Sequence, residues 1–308
     1  MDVFHSLEEY SAAAHTIATI GTFDGLHVGH KAILARIIDE AKARNGKSLL
    51  ISFHPHPRLV LFPDNNPLRL LHSLEEKIAM LDAMGLDRLL LVPFTKEFSR
   101  ISSKAFIQDV LVKTVEMEKI VIGYDHRFGK NRGGGIEELR EYGQQCGYEV
   151  EEIPAQAIDD ANVSSTKIRS ALLEGDVTHA NKYLGYSYGF DGLVVHGEKQ
   201  GRQLGYPTAN LNPVDERKLI PADGIYFVRV LVKDAWHFGM MSIGKKPTVG
   251  EFERTREVFI FDFSGDLYDS VLRVEFIEWI RGELKFDSLE ALIAAIQGDE
   301  AFCRARMS

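Results

Sequence analysis

The sequence predicts an α/β domain built on a parallel sheet, followed by an antiparallel β-barrel or sandwich with a terminal helix. Three observations lead there. Up to about residue 185, apolar β-rich runs alternate with segments of helical periodicity. Beyond about 186, β-rich stretches follow one another without helices between them, and one convincing helix comes near the end. Strict strand–helix alternation implies a parallel sheet covered on both faces, whereas consecutive strands imply antiparallel pairing. The 308 residues suffice for two domains, with expected bounds 1–185 and 186–308.

The elements follow in order. "TIATIG" (16–21) is the first strand, and the helix from about 28 to 44 carries Ile33, Leu34, Ile37, Ile38 and Ala41 at helical spacing. Asn45-Gly46 ends that helix, and "SLLISF" (48–53) is the next strand. In "SLEEKIAMLDAMG" (73–85), Ser73 and Glu76 stand in capping-box order before an apolar stripe. "RLLLVPF" (88–94), a helix in 102–115, the strand "KIVIG" (119–123), a helix at 136–146 and a strand at 148–153 complete the alternation. In the second half, stretches beginning at Ser187, Gly224, Ala235, Glu257 and Val271 read as strands broken by Gly, Asp and Pro, and Ser288 caps a helix over 288–300.

Composition narrows the functional classes. An apolar fraction of 45% and a charged fraction of 26% are those of a soluble globular protein. Apolar runs such as "LLLVPF" are too short to cross a bilayer, and "MDVFHSLEEY" lacks the pattern of a signal peptide. Cys146 and Cys303 are far apart and have no neighbours at metal-ligand spacing, so neither a disulfide scaffold nor a zinc site is expected. A cytoplasmic protein without membrane partners is the expectation; an oligomer is compatible with it. The formal charge of −9 argues against nucleic-acid partners but leaves small anionic ligands open, since these respond to local cations and helix ends.

"GTFDGLHVGHKAIL" (21–34) places H-x-G-H where a glycine-rich turn becomes a helix. A strand, such a turn and a helix N-terminus form an anion site through exposed N–H groups and the helix dipole. Gly21, Gly25 and Gly29 admit a phosphate to the backbone, and His27 and His30 can donate to phosphoryl oxygens. In "VSSTKIRSAL" (163–172), Ser164, Ser165 and Thr166 stand at a helix start with Lys167 and Arg169 in its first turns. Cations there oppose the dipole, an arrangement that suits a bound anion.

These strings resemble the H-x-G-H and S-S-T-x-I-R signatures of nucleotidyltransferases. With "SFHPHPR" (52–58) and "GYDHRFGKNRGG" (123–134) in that order, they resemble the FMN adenylyltransferase module of bacterial FAD synthetases. The resemblance implies a modified Rossmann-like domain in which the FMN phosphate attacks the α-phosphate of ATP. That phosphate is largely ionised at neutral pH, with a second pKa near ~6, so the reaction needs positioning and charge neutralisation rather than a base. It implies that Gly21, Phe23, Asp24, Gly29, Asp125, Arg127, Ser164, Ser165 and Thr166 bind ATP, that His27, His30 and Arg169 act on its phosphates with Mg²⁺, and that His56, Pro57, Arg58 and Phe62 face the flavin. The family's usual acid near the end of "RxGD" is replaced by Gly135.

"GRQLGYPTANL" (201–211) is the most specific string. Gly201 and Gly205 permit close approach to phosphates. Thr208 and Asn210, two apart, face one way on an extended chain and suit Mg²⁺, which takes few protein ligands. The string resembles the G-R-x-L-G-[FY]-P-T-A-N motif of riboflavin kinases, which also brings Arg202 to the phosphates. "GIYFVRV" (224–230), "SIGKKPTVG" (242–250), "REVFIFDFSGDLY" (256–268) and "IRGELKF" (280–286) follow that family in order. The resemblance implies a β-barrel kinase domain in which Glu257 is the base for the ribityl hydroxyl, a weak nucleophile that must lose a proton. It also places Arg281 and Glu283 on the flavin side, while Phe259 replaces a histidine. The whole chain is then similar to bifunctional riboflavin kinase/FAD synthetases, which use riboflavin, FMN, ATP and Mg²⁺. The alternatives are FMN adenylyltransferase with a non-catalytic barrel, and a flavin carrier without catalysis.

Overall fold

The computed structural model describes residues 1–63, 68–124, 127–130, 133–154, 163–197, 201, 205–247 and 252–307. Among them the chain divides into two units, Met1–Val163 and Ser164–Ser308. The first is built on six parallel strands: β1 (Asp2–Phe4), β2 (Thr16–Ile20), β3 (Lys47–His54), β4 (Arg88–Pro93), β5 (Met117–Gly123) and β6 (Glu149–Ile153). Their order is β1-β4-β3-β2-β5-β6. From β2 the chain proceeds to β3 and β4 on one side, then returns to β5 on the other. β2 and β5 therefore flank the point where strand order reverses, and open α/β sheets bind ligands beyond the carboxyl ends there. The turn carrying H-x-G-H follows β2.

Successive strand residues serve opposite faces, so both faces are apolar. Ile17, Leu50, Leu89, Leu91 and Val121 pack with α1 (Val28–Ala43) and α3 (Leu74–Ala83). Ala18, Ile20, Leu49, Ile51, Leu90 and Ile122 pack with Phe106, Val110 and Leu111, and with Leu139 of α5 (Ile136–Cys146). Ile33, Leu34, Ile37, Ile38 and Ala41 of α1 are all buried, as their spacing predicts. The capping box forms: Glu76 N donates to Ser73 Oγ at 3.1 Å and Ser73 N to Glu76 Oε2 at 2.8 Å.

Two short elements, β1 and α2 (Pro57–Leu61), were not read from the sequence, because three and five residues are too few to display a period. The helix expected at 102–115 begins as one turn, α4 (Ser103–Ala105), and continues as a π-helix over Phe106–Thr114. Its wider turn, closed by Val115 N donating to Val110 O, gathers Phe106, Ile107, Val110, Leu111 and Val115 in the core.

The second unit opens with α6 (Ser165–Leu173) and α7 (Val177–Leu184). It continues as β7 (Gly189–Val195), β8 (Ala209–Pro213), β9 (Gly224–Val232), β10 (Ala235–Pro247), β11 (Phe252–Ile260) and β12 (Val271–Arg281), ending in α8 (Leu289–Arg304). The strands form a closed barrel, β10-β11-β8-β7-β12-β9, antiparallel throughout. Barrel rather than sandwich is decided at β8–β11, where Asn210 pairs with Glu257 and Ala209 with Val258.

α7, also unread from the sequence, is tied to the barrel. Asn181 Nδ2 donates to Phe276 O at 2.8 Å, its Oδ1 accepts from Tyr188 N at 2.6 Å, and Ala222 N donates to Leu172 O at 2.9 Å. A fragment of residues 164–308 should therefore melt above one of residues 186–308. Three hydrogen bonds at about 1 kcal/mol each predict a gap on the order of 10 °C, read by circular dichroism. Equal melting temperatures would show that α6 and α7 do not support the barrel.

Candidate active sites

The turn after β2 is strained. Phe23 (φ 49°) and Leu26 (φ 36°) adopt left-handed angles beside Gly25 (φ 93°). Such angles cost a non-glycine residue roughly 1–2 kcal/mol, and burial of both side chains, Phe23 at 4% exposure and Leu26 at 0%, holds them there. Asp24 turns inward, and its carboxylate accepts from the backbone N–H groups of Leu71 (3.0 Å) and His72 (3.3 Å).

This geometry delivers His27 to the N-cap of α1, with Gly29 buried in the first helical turn. His27 Nδ1 accepts from His30 N at 3.3 Å. An accepting Nδ1 carries no proton, so His27 presents Nε2–H as a donor. The two rings stack with centroids 3.6 Å apart, and His30 stacks on Phe23 at 4.5 Å. Burial, then the neighbouring His27, Lys77 and His72, hold the His30 pKa well below the ordinary histidine value. His30 Nδ1 is buried without a hydrogen-bond partner among the described residues. A neutral imidazole with an unused ring nitrogen suits a hydrogen-bonding role toward a ligand.

Sequence reasoning missed Lys77. Its ammonium is buried and donates to Thr22 O and Ser52 Oγ, both at 2.6 Å. Burial lowers its pKa to about 8, with Asp24 opposing. The available signal was a charged residue on the apolar stripe of α3, three residues after Leu74 and four before Leu81.

The other expected residues of this half lie on separate segments. Arg127 is exposed, and its Nη1 lies 2.6 Å from where a Cβ on Gly135 would stand. Asp125 is outside the described residues. His56 caps α2, its Nδ1 accepting from Arg58 N at 3.2 Å, with Pro57 opening the helix and Phe62 at its C-cap, 56% exposed. Ser164 caps α6 by accepting from Lys167 N at 3.3 Å, Ser165 and exposed Thr166 begin that helix, and Arg169 follows on it, half-buried.

In the second unit, Thr208, Asn210 and Glu257 converge. Thr208 Oγ1 donates to Glu257 Oε2 at 2.8 Å, and Asn210 stands opposite Glu257 in the β8–β11 ladder. Directly opposed residues share a face, here the one opposite buried Val258 and Leu211. The Asn210 amide lies against Gly197, where a Cβ would collide with it. Tyr206 N donates to Gly201 O at 2.9 Å, and Gly205 takes the left-handed φ of 83° that the turn requires. Arg202 is outside the described residues. Arg281 pairs bidentately with Asp299 of α8 at 2.9 and 2.7 Å, and the Glu283 carboxylate rests on Gly244.

The FAD synthetase family profile matches residues 10–167, and the riboflavin kinase profile matches residues 184–307. Bifunctional riboflavin kinase/FMN adenylyltransferases are 36% identical in Listeria monocytogenes and 38% in Pseudomonas fluorescens, each over 94% of this chain and 91% and 92% of the relative. This chain belongs to the bifunctional riboflavin kinase/FMN adenylyltransferase family. A crystal structure reported as a macrolide-efflux protein from Streptococcus pneumoniae shares its fold, with a TM-score of 0.89 and 31% identity over 98% of both chains. Among the described residues of this family member, no helix is long and apolar enough to cross a membrane.

Both departures from the family pattern have a local setting in this riboflavin kinase/FMN adenylyltransferase. The Arg127 guanidinium fills the space a side chain on residue 135 would need. Phe259 packs edge-on against Tyr206 with centroids 5.1 Å apart, in the apolar cluster that Ile296, Phe302 and Cys303 of α8 share.

The His30 pKa predicts a pH dependence of stability. Below the ordinary value of 6.5 the unfolded chain protonates this histidine and the native state does not. Unfolding then takes up a proton, and His30 makes the first unit lose stability as pH falls through that value. Urea midpoints between pH 7.5 and 5.5 should show a smaller loss in His30→Gln, and imidazole NMR should show His30 uncharged across the range. A His30 that titrates near 6.5 in the folded protein would contradict this.

Proposed function

We propose that the two reactions of this bifunctional enzyme divide between the halves of the chain. Residues 186–308 phosphorylate riboflavin with ATP to give FMN, and residues 1–185 transfer the adenylyl group of a second ATP to FMN, giving FAD and pyrophosphate. The observation that carries this reading is the Thr208–Glu257 hydrogen bond, with Asn210 opposite, in a different unit from the His27–His30 turn. A barrel serving only to bind flavin needs no carboxylate aimed at a hydroxyl.

In the kinase half, Glu257 accepts the proton of the ribityl 5′-hydroxyl as its oxygen attacks the γ-phosphorus of ATP and ADP leaves. The Thr208 hydroxyl orients that carboxylate. Because Thr208 spends its proton on Glu257, its oxygen offers only lone pairs, and with the Asn210 amide oxygen it makes a hard-oxygen set that fits Mg²⁺. When bound there, Mg²⁺ supplies neutralisation of phosphate charge. Gly201, Arg202 and Gly205 form the phosphate loop, and Arg281, held by Asp299, lies with Glu283 on the flavin side.

In the adenylyltransferase half the nucleophile arrives ionised. His27 Nε2–H and His30 donate to ATP phosphate oxygens at the N-terminus of α1. The resemblance assigns Ser164, Ser165, Thr166 and Arg169 to the charge moving onto pyrophosphate, and His56, Pro57, Arg58 and Phe62 to the flavin. Gly21, Phe23, Asp24, Gly29, Asp125 and Arg127 complete the nucleotide pocket. The cytoplasm is the compartment proposed for both reactions.

Riboflavin, ATP and Mg²⁺ supplied to the full chain should yield FMN first and FAD later, read by chromatography over time. Glu257→Gln should abolish riboflavin phosphorylation and leave adenylylation of added FMN near wild type. A variant keeping most of its kinase rate would remove Glu257 as the base. The double variant His27→Ala/His30→Ala should show the reverse, with FAD synthesis falling roughly 10²-fold or more per lost donor. Equal loss of both activities in a folded protein would mean one shared site.

A further inference from the structure

Neither reaction as described uses Lys77, yet an ammonium is costly to bury unless its charge is used. Its place is specific. Nζ donates to Thr22 O, inside the strained turn, and to Ser52 Oγ at the end of β3, while Ser52 Oγ itself donates to Thr22 O at 3.4 Å. One carbonyl between Gly21 and Phe23 thus receives a cation and a hydroxyl from two other elements. Asp24 from the turn acts on this ammonium, and the ammonium acts in turn on His30 of α1, on which His27 at the N-cap and His72 from the segment before α3 also bear. Asp24 is itself held by backbone donors at Leu71 and His72, so turn, β3 and the approach to α3 are joined by one buried polar cluster.

A uniformly apolar filler would close this space at lower cost, since buried charges are often replaceable by apolar side chains of similar volume. What methionine could not do is grip the Thr22 carbonyl or put positive charge behind an anion-binding turn. The same charge acts on His30, where it adds to burial in keeping the imidazole neutral. A neutral His30 keeps one nitrogen as acceptor and one as donor, as a hydrogen-bonding site requires.

We propose that Lys77 is a positioning residue for adenylyl transfer: its ammonium fixes the Thr22 carbonyl, holds the turn from Gly21 to His27 in its phosphate-binding shape, and supplies positive potential behind His27 and His30. The inference rests on the reading of that turn as the adenylyl-transfer site.

The test uses the full chain with FMN, ATP and Mg²⁺, takes circular dichroism and urea unfolding of the same preparation as the control for folding of the first unit, and takes riboflavin phosphorylation as the control for the second. Lys77→Met should lower kcat for FAD formation about 10²-fold, as loss of a preorganised charge does, with kinase activity within about twofold of wild type. The wild-type kcat/KM for ATP should fall as pH rises through about 8, where the ammonium loses its proton, and Lys77→Met should lack that fall. Ser52→Ala, a milder change, removes one acceptor of the charged form and should move the fall to lower pH. Should Lys77→Met not fold, the wild-type and Ser52→Ala profiles decide, and a flat profile or an unmoved one overturns the proposal. A folded Lys77→Met with full FAD synthesis overturns it as well. If His27→Ala/His30→Ala keeps full FAD synthesis, the site reading fails and takes this inference with it; loss in the double variant with no effect in Lys77→Met condemns Lys77 alone.

Discussion

The backbone between Gly21 and His27 is the constraint on which the first site depends. Phe23 and Leu26 hold left-handed angles only because their side chains are locked in the core. The sharp curl they force lets β2 end in the sheet and α1 begin at once beyond it, with His27 rather than a serine or aspartate at the N-cap. A histidine cap has a chemical consequence, because using Nδ1 to hold the helix commits Nε2 to donation. Stability and chemistry are coupled through one ring.

The second site depends on closure. A barrel of consecutive antiparallel strands could stay open between β8 and β11, and the Asn210–Glu257 pair sits at that joint. Closing it puts an amide opposite a carboxylate, and Thr208, two residues earlier on the same face, completes the group. α8 covers the adjoining face, where Tyr206 reaches Glu300 at 2.9 Å and Arg281 reaches Asp299. The segment carrying the kinase motif is thereby anchored at both ends, one in the sheet and one on the terminal helix.

The two substitutions that set this chain apart from its family pattern behave differently. Phe259, where the resembled motif carries a histidine, is partly buried and packs edge-on against Tyr206 and Phe261 beside the apolar cluster under α8. Gly135 leaves α5 without a side-chain cap, and Arg127 occupies the vacated volume. One change is absorbed by the core, the other by a long flexible side chain at the surface.

Local periodicity alone determined much of this protein. The α1 stripe, the Ser73–Glu76 capping box, the strand–helix alternation and the run of β-stretches after residue 186 are short-range patterns, and each appears in the fold. The glycine–histidine turn and the 201–211 string were legible because close approach and hydrogen-bond donation restrict residue types at fixed spacing. Elements of three to eight residues, β1, α2 and α7, were not, since a period needs length to show. The π-helix was hidden because its register is set by what Phe106 and Val115 meet in the core. Only tertiary structure decided that Glu257 faces Asn210, that Arg281 is held by Asp299, and that Lys77 lies beneath Thr22. Those pairings join residues 18 to 55 positions apart, and no local pattern encodes a distance that strand register and helix packing must close.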